Sequence, residues 1–104
     1  MNDMTEEMEM QDKIDTIGKS VVQHGKINNR VYLMKLAPED ISTIASKLDN
    51  LAAEKGYTKI FAKIHADALP FFISKGYRAE AFIPKFYSNQ VDCLFVSKFV
   101  DPQR

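Results

Sequence analysis

The stretch "HADALPFFISKGY", residues 65–77, predicts a short helix that follows directly on a strand. Asp67 can cap a helix over residues 67–75, and Pro70 stays within its first turn, where a missing N–H is tolerated. Gly76 ends the helix. The stretch therefore predicts a strand-to-helix unit in the second half of the chain.

The strand that precedes this helix is "YTKIFAKI", residues 57–64. Alternation places three of its apolar side chains on one face: Ile60, Ala62 and Ile64. The helix has an apolar face of its own, formed by Leu69, Phe72 and Ile73. We expect the two faces to pack together, which makes Phe72 a core residue.

Upstream, "SVVQHGKINNRVYLMKL", residues 20–36, predicts two strands around a turn. Apolar residues then recur at helical spacing, which predicts a helix over residues 38–55. Pro38 suits its first turn, and Gly56 is a common helix stop.

Downstream, "RAEAFIPKFY", residues 78–87, predicts a strand in which Pro84 implies a sheet edge or a bulge. "SNQ", residues 88–90, predicts a turn, and "VDCLFVSKFV", residues 91–100, predicts the last strand. The predicted order is β-β-α-β-α-β-β, an α/β (α+β) fold with a mixed sheet and two helices.

The first residues differ in composition from the rest. Residues 1–15 hold six acids and one base, a net charge of −5, so the remainder of this neutral chain carries +5. Residues 1–12 also lack apolar periodicity, which predicts a mobile acidic tail before a single domain at 13–104. The lysines of that domain are scattered singly, a pattern typical of a solvated surface rather than of nucleic-acid binding.

Two features of the whole chain indicate its compartment. No apolar run approaches the ~20 residues of a membrane span, and the acidic N-terminus is unlike a signal peptide. The single cysteine, Cys93, excludes an internal disulfide. We therefore expect a cytoplasmic protein with no membrane contact.

Side chains that could carry chemistry are few and dispersed. His24 and His65 are far apart and Cys93 has no nearby thiol or imidazole, so no metal site is predicted and Cys93 is expected to be a packed thiol. Core packing is the expected role of six phenylalanines: Phe71, Phe72, Phe82, Phe86, Phe95 and Phe99. Four tyrosines are possible proton donors but more typical of half-buried amphipathic positions: Tyr32, Tyr57, Tyr77 and Tyr87.

The junction "KLAPED", residues 35–40, is the one strand-to-helix junction placed to hold a phosphate. A pyrophosphate needs several backbone N–H groups that converge at a helix N-terminus, usually with glycines. The junction has no glycine, Pro38 removes a donor, and Glu39 and Asp40 add negative charge. We therefore predict that it does not bind a phosphate.

The strand order, with "FFISKGY" at the end of the second helix, resembles the later part of the GCN5-related N-acetyltransferase (GNAT) fold. In that family a glycine-rich pyrophosphate loop precedes the long helix, and the next helix typically reads Asn, two residues, Ala, three residues, Tyr, then a Gly-aromatic end. Here His65 stands at the Asn position, Ala68 and Gly76-Tyr77 match, and Phe72 replaces the Tyr. That Tyr often protonates the departing coenzyme A thiolate, which Phe72 cannot do.

Three segments are similar to the N-terminal region of the β-lysine N-acetyltransferases: "DKIDTIGKSVVQHGKINNRVYLMKL", "GYTKIFAKI" and "FIPKFY". The resemblance covers residues 12–40 and 56–100. The resemblance implies an enzyme family that makes Nε-acetyl-β-lysine, a compatible solute, from acetyl-CoA and β-lysine. It also implies that a complete acetyltransferase domain follows this region. Since the chain ends at "DPQR", we expect a leading domain, either part of a longer protein or a separately encoded remnant.

The resemblance therefore implies a non-catalytic, degenerate GNAT-like domain that packs against a catalytic acetyltransferase domain. It implies no catalytic, cofactor-binding or metal-binding residue within the chain, and acetyl-CoA as the cofactor of the full-length family only. Two other functions remain open. One is a minimal acetyl-CoA-dependent N-acetyltransferase, and the other is a free-standing dimerisation module with a homodimer partner, which exposed sheet edges would permit.

Overall fold

The computed structural model describes residues 12–87 and 91–100, which form one six-stranded sheet and two helices. The strands are β1 (Lys13–Ile17), β2 (Ser20–Gly25), β3 (Arg30–Lys35), β4 (Lys59–His65), β5 (Arg78–Ile83) and β6 (Cys93–Phe99). The helices are α1 (Ile44–Lys55) and α2 (Leu69–Ile73), and single 3₁₀ turns at Pro38–Asp40 and Ala66–Ala68 precede them.

The strands lie in the order β1-β2-β3-β4-β6-β5. Neighbours are antiparallel except β3 and β4, which are parallel because α1 connects them as a crossover. The mixed sheet with two helices confirms the predicted fold class. β1 is an additional strand ahead of the predicted order, paired with β2 from Lys13 opposite His24 to Ile17 opposite Ser20.

The core lies on one face of the sheet. Alternate side chains of β3 and β4 are fully buried there, together with Leu48 of α1 and Phe72 of α2. The contribution of β4 is the predicted set Ile60, Ala62 and Ile64. Phe72 is 0% exposed, which confirms it as a core residue, and its ring meets the Tyr77 ring edge to face at 5.0 Å between centroids.

The opposite face of the sheet, here called the open face, carries the alternate set of side chains. Tyr32, Phe61 and Phe95 form an aromatic row across β3, β4 and β6 on this face, with ring centroids 5.5 Å apart at each step. These side chains are only half-buried. The open face is therefore an apolar surface that the two helices do not cover.

Both helices are shorter than predicted. The predicted helix at 38–55 begins at Ile44 instead, because Asp40 turns its side chain back toward the β1–β2 turn and the chain makes a 3₁₀ turn there. The predicted helix at 67–75 spans only Leu69–Ile73. The expectation that Ile73 packs on the sheet was wrong: it is 49% exposed, since the helix ends at that residue.

Several predicted strand bounds also shift. The strand predicted at 57–64 begins at Lys59, and Tyr57 is instead a buried residue whose hydroxyl lies 2.8 Å from Nδ1 of His24. The strand predicted at 78–87 ends at Ile83, directly before Pro84, and β5 is an edge strand as the proline implied.

The predicted turn at 88–90, residues 1–11 of the predicted tail and residues 101–104 lie outside the described residues. Asp12, the last residue of the predicted tail, is described: its carboxylate accepts a hydrogen bond of 2.7 Å from the Asn28 amide.

Candidate cofactor cleft between two diverging strands

A cleft opens where the two parallel strands separate. β3 and β4 pair from Arg30 opposite Lys59 to Leu33 opposite Ala62, and the ladder ends there. Beyond that point β4 stays paired with β6 as far as His65 opposite Cys93, while β3 leads away into the junction at 36–41. The carboxyl ends of β3 and β4 therefore diverge, and a groove forms between them.

The groove has a volume of about 690 Å³, within the range of small-molecule sites. One wall is apolar and comes mainly from β3 and the junction: Val21, Met34, Leu36, Ala37 and Pro38. The polar lining contains three lysines and two aromatic residues with hydrogen-bonding groups: Lys19, Lys35, Lys63, His65 and Tyr87. No carboxylate lines it among the described residues, so the cleft suits a ligand with an apolar body and negative charge.

Tyr87 and His65 form the aromatic end of the cleft. Their ring centroids lie 4.5 Å apart in an edge-to-face arrangement, and the Tyr87 hydroxyl lies 3.9 Å from Sγ of Cys93. Burial, with a smaller contribution from Cys93, raises the pKa of Tyr87 to about 12. The phenol is therefore protonated near neutral pH, as a hydrogen-bond donor must be.

The junction at 36–41 forms the opposite rim, and Ser20 and Asp40 close it from within. The Asp40 carboxylate accepts hydrogen bonds from the Ser20 hydroxyl at 2.6 Å and from the Lys19 N–H at 2.9 Å. The Ser20 hydroxyl in turn accepts a hydrogen bond of 2.9 Å from the Ala37 N–H. The hydrogen bond from Ser20 is the main reason that the pKa of Asp40 is lowered. An internal carboxylate therefore occupies donors that an external anion would need.

Gly18 makes this arrangement possible. It has a φ of +61°, in the left-handed region, and a Cβ built on it would overlap the carboxylate of Asp40. Because Gly18 has no side chain, the β1–β2 turn can lie in close contact with the Asp40 carboxylate.

Two more N–H groups of the junction, and one just after it, are also bonded internally. The N–H of Asp40 donates to the Ala37 carbonyl at 2.9 Å, and that of Ile41 donates to the Pro38 carbonyl at 3.3 Å. The N–H of Thr43 donates to the Asp40 carbonyl at 3.0 Å. A pyrophosphate cradle needs several free N–H groups that converge on one point. The junction instead uses the Asp40 and Ile41 donors to make a 3₁₀ turn.

The residues singled out from sequence are divided between the cleft and the core. His65 and Tyr87 lie in the cleft, whereas Phe72 is buried in the core and does not line it. Cys93 is fully buried, which confirms the expected packed thiol. The grouping of three lysines in the cleft was not predicted from the sequence. For Lys63, the sequence shows only that it alternates with buried residues of β4.

Within residues 12–87 and 91–100, no three His, Cys, Asp or Glu side chains are grouped as metal ligands. Over the same ranges, no helix has the length and apolar character needed to span a bilayer.

Solved structures that superpose on this chain include acetyltransferases. An IAA acetyltransferase from Bacillus cereus superposes with a TM-score of 0.59 at 12% identity, over 78% of this chain and 68% of the other. A GNAT superfamily phosphinothricin acetyltransferase from Sinorhizobium meliloti, solved in complex with AcCoA, gives 0.59 at 13% identity, over 79% and 53%. The fold is that of the GNAT acetyltransferases, as the sequence resemblance implied.

Sequence similarity points to one kind of GNAT protein. The chain is 34% identical over 93 residues to beta-lysine N(6)-acetyltransferase from Methanococcus maripaludis, which covers 89% of this chain. The chain spans about a third of the length of that relative (33%). No protein-family model matches the chain. The chain is therefore a GNAT-like domain related in sequence to a β-lysine N-acetyltransferase, which confirms the resemblance.

Proposed function

We propose that this chain is a non-catalytic GNAT-like domain of a β-lysine N-acetyltransferase. In this proposal, acetyl-CoA binding and acetyl transfer to β-lysine belong to a catalytic acetyltransferase domain outside these 104 residues. The chain packs against that domain and helps to complete the side of it that binds the substrate. The similarity to a relative three times as long, of which the chain matches 33%, supports a role as one part of a larger enzyme.

One observation carries the non-catalytic role: the Ser20–Asp40 hydrogen bond at the junction. A bound pyrophosphate would have to displace the Asp40 carboxylate from Ser20 and Lys19, and it would meet the negative charge of Glu39 nearby. Phe72 gives separate support. It stands at the position of the family's proton-donating Tyr, has no hydroxyl and faces the core.

Titration of the 104-residue chain with acetyl-CoA, followed by amide NMR shifts, tests the cofactor part of the proposal. We expect no saturable binding at micromolar concentrations and no acetyl transfer to β-lysine. Saturable micromolar binding with shifts centred on residues 36–41 would contradict it. The supporting role is tested on the Methanococcus maripaludis relative, where deletion of the matched 93-residue region should lower acetyltransferase activity.

The cleft between β3 and β4 favours a second candidate, a minimal acetyl-CoA-dependent N-acetyltransferase. Its apolar wall could take a pantetheine arm, and the protonated Tyr87 could donate to a departing thiolate. The same titration decides between the candidates. If binding were observed, Ala37→Trp should abolish it by filling the cleft, whereas Ala53→Trp on the exposed side of α1 should not.

The exposed edge of β5 favours the third candidate, a dimerisation module. All six residues of β5 are exposed, including Phe82 at 57% and Ile83 at 40%, and the strand pairs on one side only, with β6. Sedimentation equilibrium of the 104-residue chain tests this role. A dimer that Phe82→Glu dissociates would favour it over the supporting role.

A further inference from the structure

The open face of the sheet combines aromatic rings with positive charge. The guanidinium of Arg30 lies 5.8 Å from the Tyr32 ring centroid. The ammonium of Lys59 lies 5.7 Å from the Phe61 centroid. Each cation is thus held over a ring, a contact that ring quadrupoles favour.

The same pattern continues along the strands. Lys59 also lies 5.3 Å from the Phe99 ring centroid, and Lys63 lies 5.4 Å from that of Phe86. Phe99 is 74% exposed and Phe86 is 48% exposed. Three cations, Arg30, Lys59 and Lys63, are thus each held over at least one aromatic ring.

These cations have no carboxylate partner among the described residues. The carboxylates of Glu39, Asp15 and Asp49 lie close to other basic groups, namely Lys19, His24 and Lys98. Arg30, Lys59 and Lys63 take part in none of these contacts. Glu80 of β5 accepts a hydrogen bond from the Ser97 hydroxyl. The open face is left with an excess of positive charge beside apolar rings.

The chain itself contains a segment with the complementary composition. Residues 1–11, "MNDMTEEMEMQ", hold four acids, four methionines and no base. Carboxylates pair with lysine and arginine, and methionine side chains make favourable sulfur–aromatic contacts. Both kinds of contact can form without the helical or strand periodicity that residues 1–11 lack.

The segment also leaves the sheet at a suitable place. Asp12 is held to Asn28, in the turn that leads into Arg30. Arg30 pairs with Lys59, which pairs with Phe99, so all of these residues lie at one end of the sheet. Three strand spacings of ~4.8 Å separate β1 from β4, whereas eleven extended residues reach roughly 36 Å. The segment is long enough to cross the open face as far as Lys63.

We propose that residues 1–11 dock on the open face, with their carboxylates beside Arg30, Lys59 and Lys63 and their methionines on the Tyr32–Phe61–Phe95 row. This inference does not depend on the proposed function. The proposal differs from the mobile tail expected from the sequence. The reason is that Arg30, Lys59 and Lys63, whose charges complement the acids of residues 1–11, come together only in the folded sheet. The docked segment would shield an apolar face from self-association.

A spin-label experiment on the 104-residue chain tests this directly. A nitroxide attached to Thr5→Cys, in a Cys93→Ala background, should broaden amide signals of β3, β4 and β6 and spare those of α1. The broadening should disappear at 0.5 M NaCl, since exposed charge pairs are screened by salt. It should also disappear when the four acids are neutralised (D3N/E6Q/E7Q/E9Q).

Charge-reversal variants locate the site. Lys59→Glu with Lys63→Glu should abolish the broadening, and the matched pair Lys55→Glu with Lys75→Glu, both exposed on the helix side, should preserve it. Equal broadening of all signals, or none, would overturn the proposal. Broadening seen only when a spin-labelled chain is mixed with an isotope-labelled one would also overturn it, because the occupant would then be a second copy.

Discussion

The carboxylate of Asp40 accepts a hydrogen bond of 2.6 Å from the hydroxyl of Ser20, twenty residues earlier in the chain. This contact joins the β1–β2 turn to the loop that follows β3, so it shapes the rim of the cleft and also stabilises the fold. Both ends are buried, and the Lys19 and Ala37 N–H groups complete the network.

Asp40→Asn should destabilise the chain at pH 7 by ~1–3 kcal/mol, the cost of weakening hydrogen bonds to a buried charged group. Denaturant unfolding measures it. Glu54→Gln, on an exposed position of α1, is the matched control and should change the free energy of unfolding by less than about 0.5 kcal/mol. Equal stability of the Asp40→Asn chain and its parent would show that the network contributes nothing to folding.

The same residue predicts an acid dependence. The pKa of Asp40 is lowered from its ordinary value of 3.8, chiefly by the hydrogen bond from Ser20. Its contribution to stability is therefore complete above the unfolded-state pKa and is lost as pH falls through the folded-state value. Below about pH 4 the parent should lose stability more steeply than Asp40→Asn. Parallel pH profiles of the two chains would contradict this assignment.

The fold class could be predicted from the sequence because the apolar periodicity of α1 and the alternation of β4 are strong local signals. The cleft could not, since it depends on where the parallel ladder of β3 and β4 ends, and strand register leaves no local mark in the sequence. The early turn at Asp40 was likewise hidden. Its cause is a side chain that bonds to Lys19 and Ser20, a long-range contact that outweighs local helix propensity.

Phe72→Ala should cost ~3–5 kcal/mol, the usual range for emptying a buried aromatic site. The chain provides an adjacent control, because Phe71 is 43% exposed while Phe72 is fully buried. Phe71→Ala should therefore cost much less in the same denaturant melts. Comparable losses for the two variants would mean that Phe72 is not the principal core residue of α2.

Phe72→Tyr tests whether a hydroxyl at this position could restore chemistry. The new oxygen would lie in the core beside Tyr77, so we expect destabilisation by about 1–3 kcal/mol from an unsatisfied buried group. We expect no acetyl transfer to β-lysine, because the Asp40 carboxylate still occupies the Ser20 and Lys19 donors at the junction. Acetyl transfer by this variant but not by the parent would show that the missing hydroxyl was the only defect.

Tyr87 predicts the behaviour of the chain at alkaline pH. Burial raises its pKa to about 12 in the folded state, so the unfolded chain, with a phenol pKa near 10, ionises first. The contribution of the neutral phenol is therefore complete below about pH 10 and is lost as pH rises toward 12.

Tyr87→Phe should flatten the fall in stability between pH 10 and 12. At pH 7 it should change stability little, because the contact of the hydroxyl with Cys93 is long at 3.9 Å. Denaturant melts at pH 7 and pH 11 separate the two effects. A variant that loses stability as steeply as the parent above pH 10 would show that Tyr87 is freely solvated, and the cleft would then lack its aromatic end.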